Sequence, residues 1–274
     1  MNGLRPSSAK FGETKSRQAP TIGARQVNSA YHRRVAFPSE LGTSTSRQLH
    51  SMSATLLIPV GSTEQHGPHL PLDTDTRIAT AVARVVAERL RTVDPDSDWL
   101  LAPPIGYGAS GEHEGFPGTV SIGTTALRLM LVEFGRSAAN WARRLVFVNG
   151  HGGNVDALGA AATQLRAEGR DVGWCSCTVA NADAHAGHTE TSVLLHISPQ
   201  DVWTDQWQPG NGAPLAELMP TMRRGGVAAV SQLGVLGDPT TATAAEGARM
   251  FAEMVGRCTR RITGWAPGRD GMLT

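Results

Sequence analysis

Cysteine is scarce in this sequence. Its 274 residues include three cysteines, Cys175, Cys177 and Cys258, an odd number that is too small for a disulfide framework. This excludes a secreted disulfide-rich scaffold, and we expect a cytoplasmic protein. Cys175 and Cys177 fall on one face of a predicted strand beside Trp174, so we expect buried, unreactive thiols and not a thiolate pair.

The sequence also lacks an excess of charge of either sign and any long apolar run. Lys and Arg number 25 against 24 Asp and Glu, which gives a formal net charge of +1. Such a balance supplies no field that would attract nucleic acid or an anionic membrane. No apolar run reaches the length of a transmembrane helix. We therefore expect a small-molecule or peptide substrate, with neither nucleic acid nor membrane as partner.

The apolar content is sufficient for one sizeable domain. Hydrophobic residues make up 40% of the chain, which permits a single α/β domain over 27–274. Residues 1–26 are rich in Ser, Lys, Arg, Gly and Gln and lack the apolar segment of a secretory signal, so we expect a disordered tail. Upstream sequence carried into the reading frame would look the same.

From about residue 54, strand-like apolar runs alternate with helical apolar stripes. The predicted strands are 54–60, 99–102, 145–148 and 172–179. The predicted helices are marked by Ile78, Val82, Val85, Val86 and Leu90, by Leu127, Leu131, Phe134, Ala138 and Trp141, by the segments 154–168 and 189 onward, and by Phe251, Val255, Cys258 and Ile262. The stretch with Pro209, Gly210, Pro214 and Pro220 is predicted to be loop-rich. This alternation predicts a three-layer αβα sandwich with a mostly parallel sheet.

Clusters of metal-type ligands follow three of the predicted strands. They comprise Glu64, His66 and Asp75 after 54–60, His151 after 145–148, and His185, His188 and Glu190 after 172–179. In parallel α/β sheets, bound molecules lie beyond the carboxyl ends of the strands, so we expect these side chains to converge there. Carboxylates and imidazoles together suit zinc, iron(II) or manganese. The pattern therefore predicts a metal-dependent hydrolase.

Each candidate ligand also has an ordinary structural explanation. Glu64 and His66 could solvate a loop, and Asp73 or Asp75 could cap the helix that begins near residue 76. Spacing alone does not choose between the two aspartates. His151 could line a tight turn, and the histidines after residue 180 could lie on the surface. The convergence of all of them at one sheet edge is what favours a site.

Glu190 offers a test from physical chemistry. On a helix that starts near residue 189, Glu190 shares an apolar stripe with Val193, Leu194 and Ile197. Burying an unpaired carboxylate costs on the order of several kcal/mol, so this side chain needs a partner of opposite charge. A metal ion beside the neighbouring histidines would supply it. The alternative is an ion pair with an arginine such as Arg77.

The chain resembles the creatininase family of metal-dependent amidohydrolases. The resemblance rests on five motifs in the family's order: 61–67 (GSTEQHG), 69–75 (HLPLDTD), 116–122 (FPGTVSI), 149–154 (NGHGGN) and 185–192 (HAGHTETS). It implies two divalent ions, with iron(II) favoured over zinc and manganese, and a closed homo-oligomer such as a hexamer. By resemblance, Glu64 and His151 bind one ion and His66 the other, Asp75 bridges both, and Glu190 is the fifth ligand.

The resemblance also assigns roles outside the ligand set. His185 matches the family's catalytic histidine, which would move a proton from the attacking water to the leaving amine. His113, Asn181 and His188 are candidates for contacts with the substrate or with the metal ligands. The family's creatininase has a tryptophan at the position of Asn181, so creatinine is disfavoured as substrate. It also has a glutamate at the position of Gly153, which is why Glu190 is needed here.

A longer resemblance connects the chain to peptidases within this family. It adds the segments 31–34, 106–113, 223–230 and 237–247. These enzymes cleave a modified precursor peptide just before its crosslinked, decarboxylated C-terminal Val-Tyr pair and release a pyrrolidinone product. Two alternatives stay open: a small-amide hydrolase of the creatinine or formamide type, and a binding protein with a closed metal site. The carboxylate-rich ligand set favours an open, catalytic site over a closed one.

Overall fold

Four short apolar strands form a parallel sheet. In the computed structural model, which describes residues 39–274, these strands are β1 (Thr55–Val60), β2 (Trp99–Leu101), β3 (Arg144–Asn149) and β4 (Val172–Ser176). They pair in the order β2-β1-β3-β4, and every pair is parallel. All six residues of β1 are buried. A parallel strand covered on both faces reads as a continuous apolar run, which is the pattern that predicted β1.

Helices cover both faces of the sheet. The helices of residues 39–274 are α1 (Ser46–Leu49), α2 (Thr74–Val93), α3 (Gly123–Ala138), α4 (Val155–Ala167), α5 (His188–Ile197), α6 (Leu215–Gly225), which packs away from the sheet, and α7 (Ala244–Gly264). Leu57 of β1 packs in one apolar core with α2, α5 and α7. Its neighbour Leu56 packs in a second core with α3 and α4. Because successive strand side chains point to opposite faces, these two cores confirm the predicted three-layer αβα sandwich.

Helix α6 is the main correction to the predicted elements. The stretch around Pro214 and Pro220 was expected to be loop-rich, but Pro214 is the N-cap of a helix and Pro220 lies inside it. Pro220 has no N–H to donate to the Ala216 carbonyl, which weakens the helix locally. The helix forms nevertheless because apolar side chains recur on one face and Leu218 is buried beneath it.

Smaller differences concern the ends of predicted elements. The predicted strand 172–179 ends at Ser176, so Cys177 lies beyond it and is only partly buried, whereas Cys175 and Cys258 are buried as expected. Trp141 lies beyond the end of α3 and is 36% exposed, so it does not continue that helix's core stripe.

The described residues do not reach the beginning of the chain. The predicted tail 1–26 and the segment 31–34 of the longer resemblance lie outside 39–274. Within 39–274, no helix is both long enough and apolar enough to span a membrane.

Candidate metal centre

The carboxyl-terminal edge of the sheet gathers the five predicted ligands. Glu64 and His66 lie in the loop after β1, Asp75 in the first turn of α2, His151 after β3, and Glu190 in the first turn of α5. The first four side chains are buried, and Glu190 is 22% exposed. Parallel strands deliver their loops to one edge, so residues up to 126 positions apart in sequence meet in one cluster (190 − 64 = 126).

Asp75 lies between two histidines. Its Oδ1 is 3.3 Å from His66 Nε2, and its Oδ2 is 3.0 Å from His151 Nδ1. Ser62 donates a hydrogen bond to Oδ2 at 2.8 Å. Asp73, the other candidate, instead accepts a hydrogen bond from Arg77 at 2.7 Å. Of the two aspartates that spacing could not separate, the structure brings Asp75 to the cluster.

Backbone contacts define which nitrogen of His66 is available. Nδ1 lies 3.0 Å from the carbonyl oxygen of Glu64, which can only accept, so Nδ1 carries a proton. Nε2 then faces two carboxylate oxygens, Asp75 Oδ1 at 3.3 Å and Glu190 Oε2 at 3.9 Å. This arrangement favours positive charge at Nε2, either a second proton on the ring or a metal ion. A metal ion at this point would bind all three atoms, with Nδ1 held by the backbone as is usual for a ligating histidine.

Glu64 provides the strongest indication of a cation site. Its side chain is fully buried, and within the described range neither carboxylate oxygen accepts a hydrogen bond of good geometry. His151 Nε2 and His113 Nε2 lie 3.2 and 3.4 Å away. Burial, together with the charge of Asp75, raises the pKa of Glu64 to about 7. A buried carboxylate without hydrogen bonds is strongly unfavourable, and coordination to a metal would compensate for it.

The raised pKa values of His66 and His151 also indicate that the cluster favours positive charge. Burial opposes a charge on His66, but Asp75, Glu190 and Glu64 outweigh it and raise its pKa to about 10. Burial likewise opposes a charge on His151, but Asp75 and Glu64 raise its pKa to about 9. Burial would raise the pKa of Asp75, yet both histidines hold it well below its usual range. The carboxylates thus attract protons to these imidazoles as they would attract a divalent ion.

Glu190 faces the cluster and is not paired with an arginine. Its Oε2 accepts a hydrogen bond from the backbone N–H of Ala186 at 2.7 Å. Burial raises the pKa of Glu190 to about 7 despite the opposing effect of His66. Arg77, the arginine proposed as an alternative partner, pairs with Asp73 and Asp201. The Arg77 alternative is therefore wrong, and a cation at the cluster remains as the compensating charge.

His185 lies beside the ligands with one nitrogen free. Its Nε2 is 2.8 Å from the carbonyl oxygen of Gln65, so Nε2 carries the proton and the Nδ1 lone pair faces Glu64 Oε1 at 3.7 Å. Burial, with His66 and His113, holds the pKa of His185 well below its usual value. A neutral imidazole with a free Nδ1 suits either a proton acceptor or a ligand.

His113 is oriented by the same glutamine. The Gln65 amide donates from Nε2 to His113 Nδ1 at 2.8 Å and to the Gly234 carbonyl at 3.1 Å, while its Oε1 accepts from the Gly67 N–H at 2.9 Å. These contacts fix the amide orientation and leave the His113 proton on Nε2, which points to Glu64. His113 therefore lies inside the site, although its role stays a prediction.

Three overlapping sets of ligand atoms are compact enough to hold an ion. In each set the atoms lie within 4.8 Å of one another. The sets are Glu64, His66 and Asp75; His66, His185 and Glu190; and Glu64, His113 and His185. His185 is thus close enough to bind metal itself, so its assignment as a catalytic group and not a ligand needs an experiment.

Two predicted site residues lie away from the cluster. Asn181 is exposed, with a positive φ of 58°, and is not among the residues that line the cavity above the ligands. The side chain of His188 contacts Thr241 at 2.8 Å and lies 3.4 Å from Glu246 on α7. Residues two apart on a helix point in different directions, so His188 turns away from the site that Glu190 enters.

Glu112 is a site residue that the sequence patterns missed. It lines the cavity, and its Oε1 is 3.9 Å from His151 Nε2. A β-carbon at Gly153 would come within 2.9 Å of this oxygen, so the glycine leaves room for the Glu112 carboxylate. A single glutamate in a predicted loop gives no sign of such a position; only its neighbour His113 was singled out.

A cavity of about 360 Å³ opens above the cluster. Its polar lining residues include Glu64, Asp75, His151, His185 and Glu190. Its apolar lining residues include Leu215, Met219, Met222, Val227 and Leu236. The ligand cluster therefore faces a space large enough for a small organic group, as in many catalytic sites.

Comparisons with known proteins identify the family and relatives of this chain. The family model described as "Creatininase: Creatinine amidohydrolase" matches residues 39–262. The "Mycofactocin precursor peptide peptidase" of Mycolicibacterium smegmatis is 72% identical over 248 residues, which cover 90% of this chain and 100% of that protein. The protein of the same name from Mycobacterium tuberculosis H37Rv is 68% identical over 251 residues, with the same shares covered.

Solved structures give the same fold. "Creatininase Mn" superposes with a TM-score of 0.68 at 26% identity and covers 84% of this chain and 99% of that chain. A mutant creatininase described as "Zn-Zn type" has the same TM-score, identity and shares covered. These structures confirm the predicted creatininase-like α/β fold.

Proposed function

This chain belongs to the creatininase family, and from that premise we propose that it is a peptidase of the modified mycofactocin precursor peptide. It is a hydrolase, and the bond cleaved is the one before the crosslinked, decarboxylated C-terminal Val-Tyr pair, which releases the pyrrolidinone product. The observation that carries the chemistry is the buried Glu64 carboxylate, which has no hydrogen bond and faces histidines and a cavity. The observation that carries the substrate is 72% identity over the full length of a peptidase of that name.

We propose that the ligand cluster holds two divalent ions. Glu64, His151 and Asp75 would hold one ion, and His66, Glu190 and Asp75 the other; the closeness of Asp75 to both histidines supports this assignment. Buried oxygen and imidazole donors accept iron(II), zinc or manganese, and we propose iron(II). When bound, such ions activate water and polarise a carbonyl group.

The protein's own side chains supply proton transfer and positioning. His185 receives the proton of the attacking water at Nδ1 and passes it to the leaving amine, while the Gln65 carbonyl holds its Nε2–H. His113 directs its Nε2–H toward Glu64 and so helps to orient that carboxylate. Ser62 holds Asp75 in place through its hydroxyl.

The alternative is a small-amide hydrolase of the creatinine or formamide type, because it would use the same ligands. The test is to purify the protein anaerobically, load it separately with iron(II), zinc and manganese, and incubate it with modified precursor, unmodified precursor, creatinine and simple formamides. Mass spectrometry should show two fragments from the modified precursor alone, with cleavage before the Val-Tyr pair. Hydrolysis of a small amide without cleavage of the peptide would overturn the proposal in favour of the alternative.

Two further properties belong to the same proposal. We propose a closed homo-oligomer such as a hexamer, supported by family membership and measurable by light scattering. We also propose a cytoplasmic location, supported by the three free cysteines, because oxidising compartments favour disulfides.

A further inference from the structure

One wall of the cavity is an apolar stripe of α6. Leu215, Met219 and Met222 stand at positions i, i+4 and i+7, so they share one face of the helix, and all three line the cavity. Leu218, on the same face, is buried in a small core with Val227 and Leu236, and Met222 packs partly against that core. Leu215 is 45% exposed and the two methionines are partly buried. The stripe therefore keeps apolar surface open toward the metal centre.

The rest of the lining makes this arrangement chemically selective. It includes the carboxylates of Glu64, Asp75, Glu112 and Glu190, and no lysine or arginine of residues 39–274 lines the cavity. A carboxylate placed against the apolar stripe would lose its hydration without gaining a hydrogen bond or an ion pair from these side chains, which is unfavourable. An uncharged, largely apolar group would be accepted, because it covers the stripe and removes apolar surface from water.

We propose that the stripe of Leu215, Met219 and Met222 recognises the substrate by packing against an uncharged apolar group beside the scissile bond. This rests on the proposed function, in which that group is the crosslinked Val-Tyr pair. Decarboxylation removes the negative charge that an ordinary peptide C-terminus would bring into the cavity. The stripe thereby distinguishes the modified end from an unmodified one.

A second cavity gives the rest of the peptide a path. It has a volume of about 310 Å³ and shares Ala184, Leu215 and Leu236 with the first cavity. Met219 and Met222 line the first cavity alone. Leu215 therefore marks the junction, where the chain upstream of the cleaved bond leaves the metal centre, and the two methionines contact the C-terminal group.

The test replaces each methionine by glutamine, which has a similar length but a polar amide. Met219→Gln and Met222→Gln are compared with Met130→Gln, a matched change at an exposed methionine of α3. With modified precursor, the cavity variants should raise KM about tenfold with little change in kcat, because a buried amide without partners weakens binding. Met219→Leu should restore the wild-type KM. Metal content and melting temperature verify that each variant is folded and loaded.

A binding measurement separates this inference from the proposed function. Calorimetric titration with the purified pyrrolidinone product should show about tenfold weaker binding to Met219→Gln and Met222→Gln than to wild type or Met130→Gln. If wild type binds this product but cleaves no precursor, the proposed function fails and the stripe's role stands. If folded cavity variants match wild type in both KM and product affinity, or if wild type does not bind the product, the stripe is not the recognition surface.

Discussion

At the scale of single residues, two aspartates two positions apart have opposite surroundings. Asp75 is buried between His66 and His151, whereas Asp73 is half-exposed and paired with Arg77. We expect Asp75→Ala to lose at least one equivalent of bound metal and nearly all activity, because its carboxylate reaches both histidines. Asp73→Ala should keep wild-type metal content, since a surface ion pair contributes about 1 kcal/mol or less. Elemental analysis after anaerobic loading measures both; full metal content in Asp75→Ala would contradict the bridging assignment.

The role of His185 depends on its free Nδ1. If this nitrogen moves a proton without binding metal, His185→Ala should keep its metal and lose about a hundredfold or more in turnover. His188→Ala is the matched control, because His188 contacts Thr241 and Glu246 away from the cavity. Turnover of modified precursor and metal content are measured on the same samples. A parallel loss of both would identify His185 as a ligand, and unchanged turnover would move the proton-transfer role to His113.

Metal binding should depend on pH through the same histidines. The pKa of His66 is raised to about 10 and that of His151 to about 9, so without a bound ion both are protonated at neutral pH. An ion must displace these protons, and its affinity should therefore fall as pH is lowered, about tenfold per unit for each proton displaced. Titrations at several pH values, in buffers of different ionisation enthalpy, count the protons released. An affinity independent of pH between 6 and 8 would contradict this picture.

At the scale of elements, the turn after β3 is held against the start of α2. A β-carbon at Gly150 would lie 2.4 Å from the carbonyl oxygen of Asp75, whereas one at Gly152 would meet nothing within 4 Å. We expect Gly150→Ala to push the first turn of α2 away, lower the melting temperature and weaken metal binding at least tenfold, since overpacking costs about 1–3 kcal/mol. Gly152→Ala should behave like wild type in thermal unfolding and metal titration. Equal behaviour of the two variants would mean that this contact is unimportant.

The elements that the sequence predicted best are those with a clear pattern of apolar residues. Strands β1 and β3 and helices α2 and α5 were predicted to within a few residues, because buried strands are continuously apolar and these helices have an apolar stripe. Helix α6 was missed because two prolines suggested turns. Leu215, Met219 and Met222 do recur at helical spacing, but prolines at 214 and 220 are more typical of turns than of a helix interior.

The ligand cluster was predictable for a related reason. Polar residues that follow parallel strands must meet at one sheet edge. The sequence alone therefore predicted that Glu64, His66, Asp75 and His151 lie close together. The choice of Asp75 over Asp73 was not available from spacing, because it depends on which way the first turn of α2 faces. The positions of Glu112 and of the apolar cavity wall depend on loop geometry and carried no periodic signal.

At the scale of the whole molecule, the ligands connect segments that are distant in the chain. The loop after β1, the start of α2, the turn after β3 and the start of α5 each contribute, while the strand order β2-β1-β3-β4 that brings them together has no signature in local periodicity. An ion that binds all four segments binds only the folded chain. Metal binding and global stability should therefore be coupled.

This coupling gives a prediction for thermal unfolding. At a free metal concentration about a hundredfold above Kd, binding should stabilise the fold by about 2.7 kcal/mol, which for a domain of this size raises the melting temperature by about 5 to 10 °C. Chelation should reverse the shift in wild type and Asp73→Ala. Asp75→Ala should have a much smaller shift, because the ion loses the carboxylate that connects α2 to both histidines. Calorimetric scans with and without chelator decide the matter: equal shifts in all three proteins would place the metal away from Asp75, and no shift in wild type would show that the ion does not connect these segments.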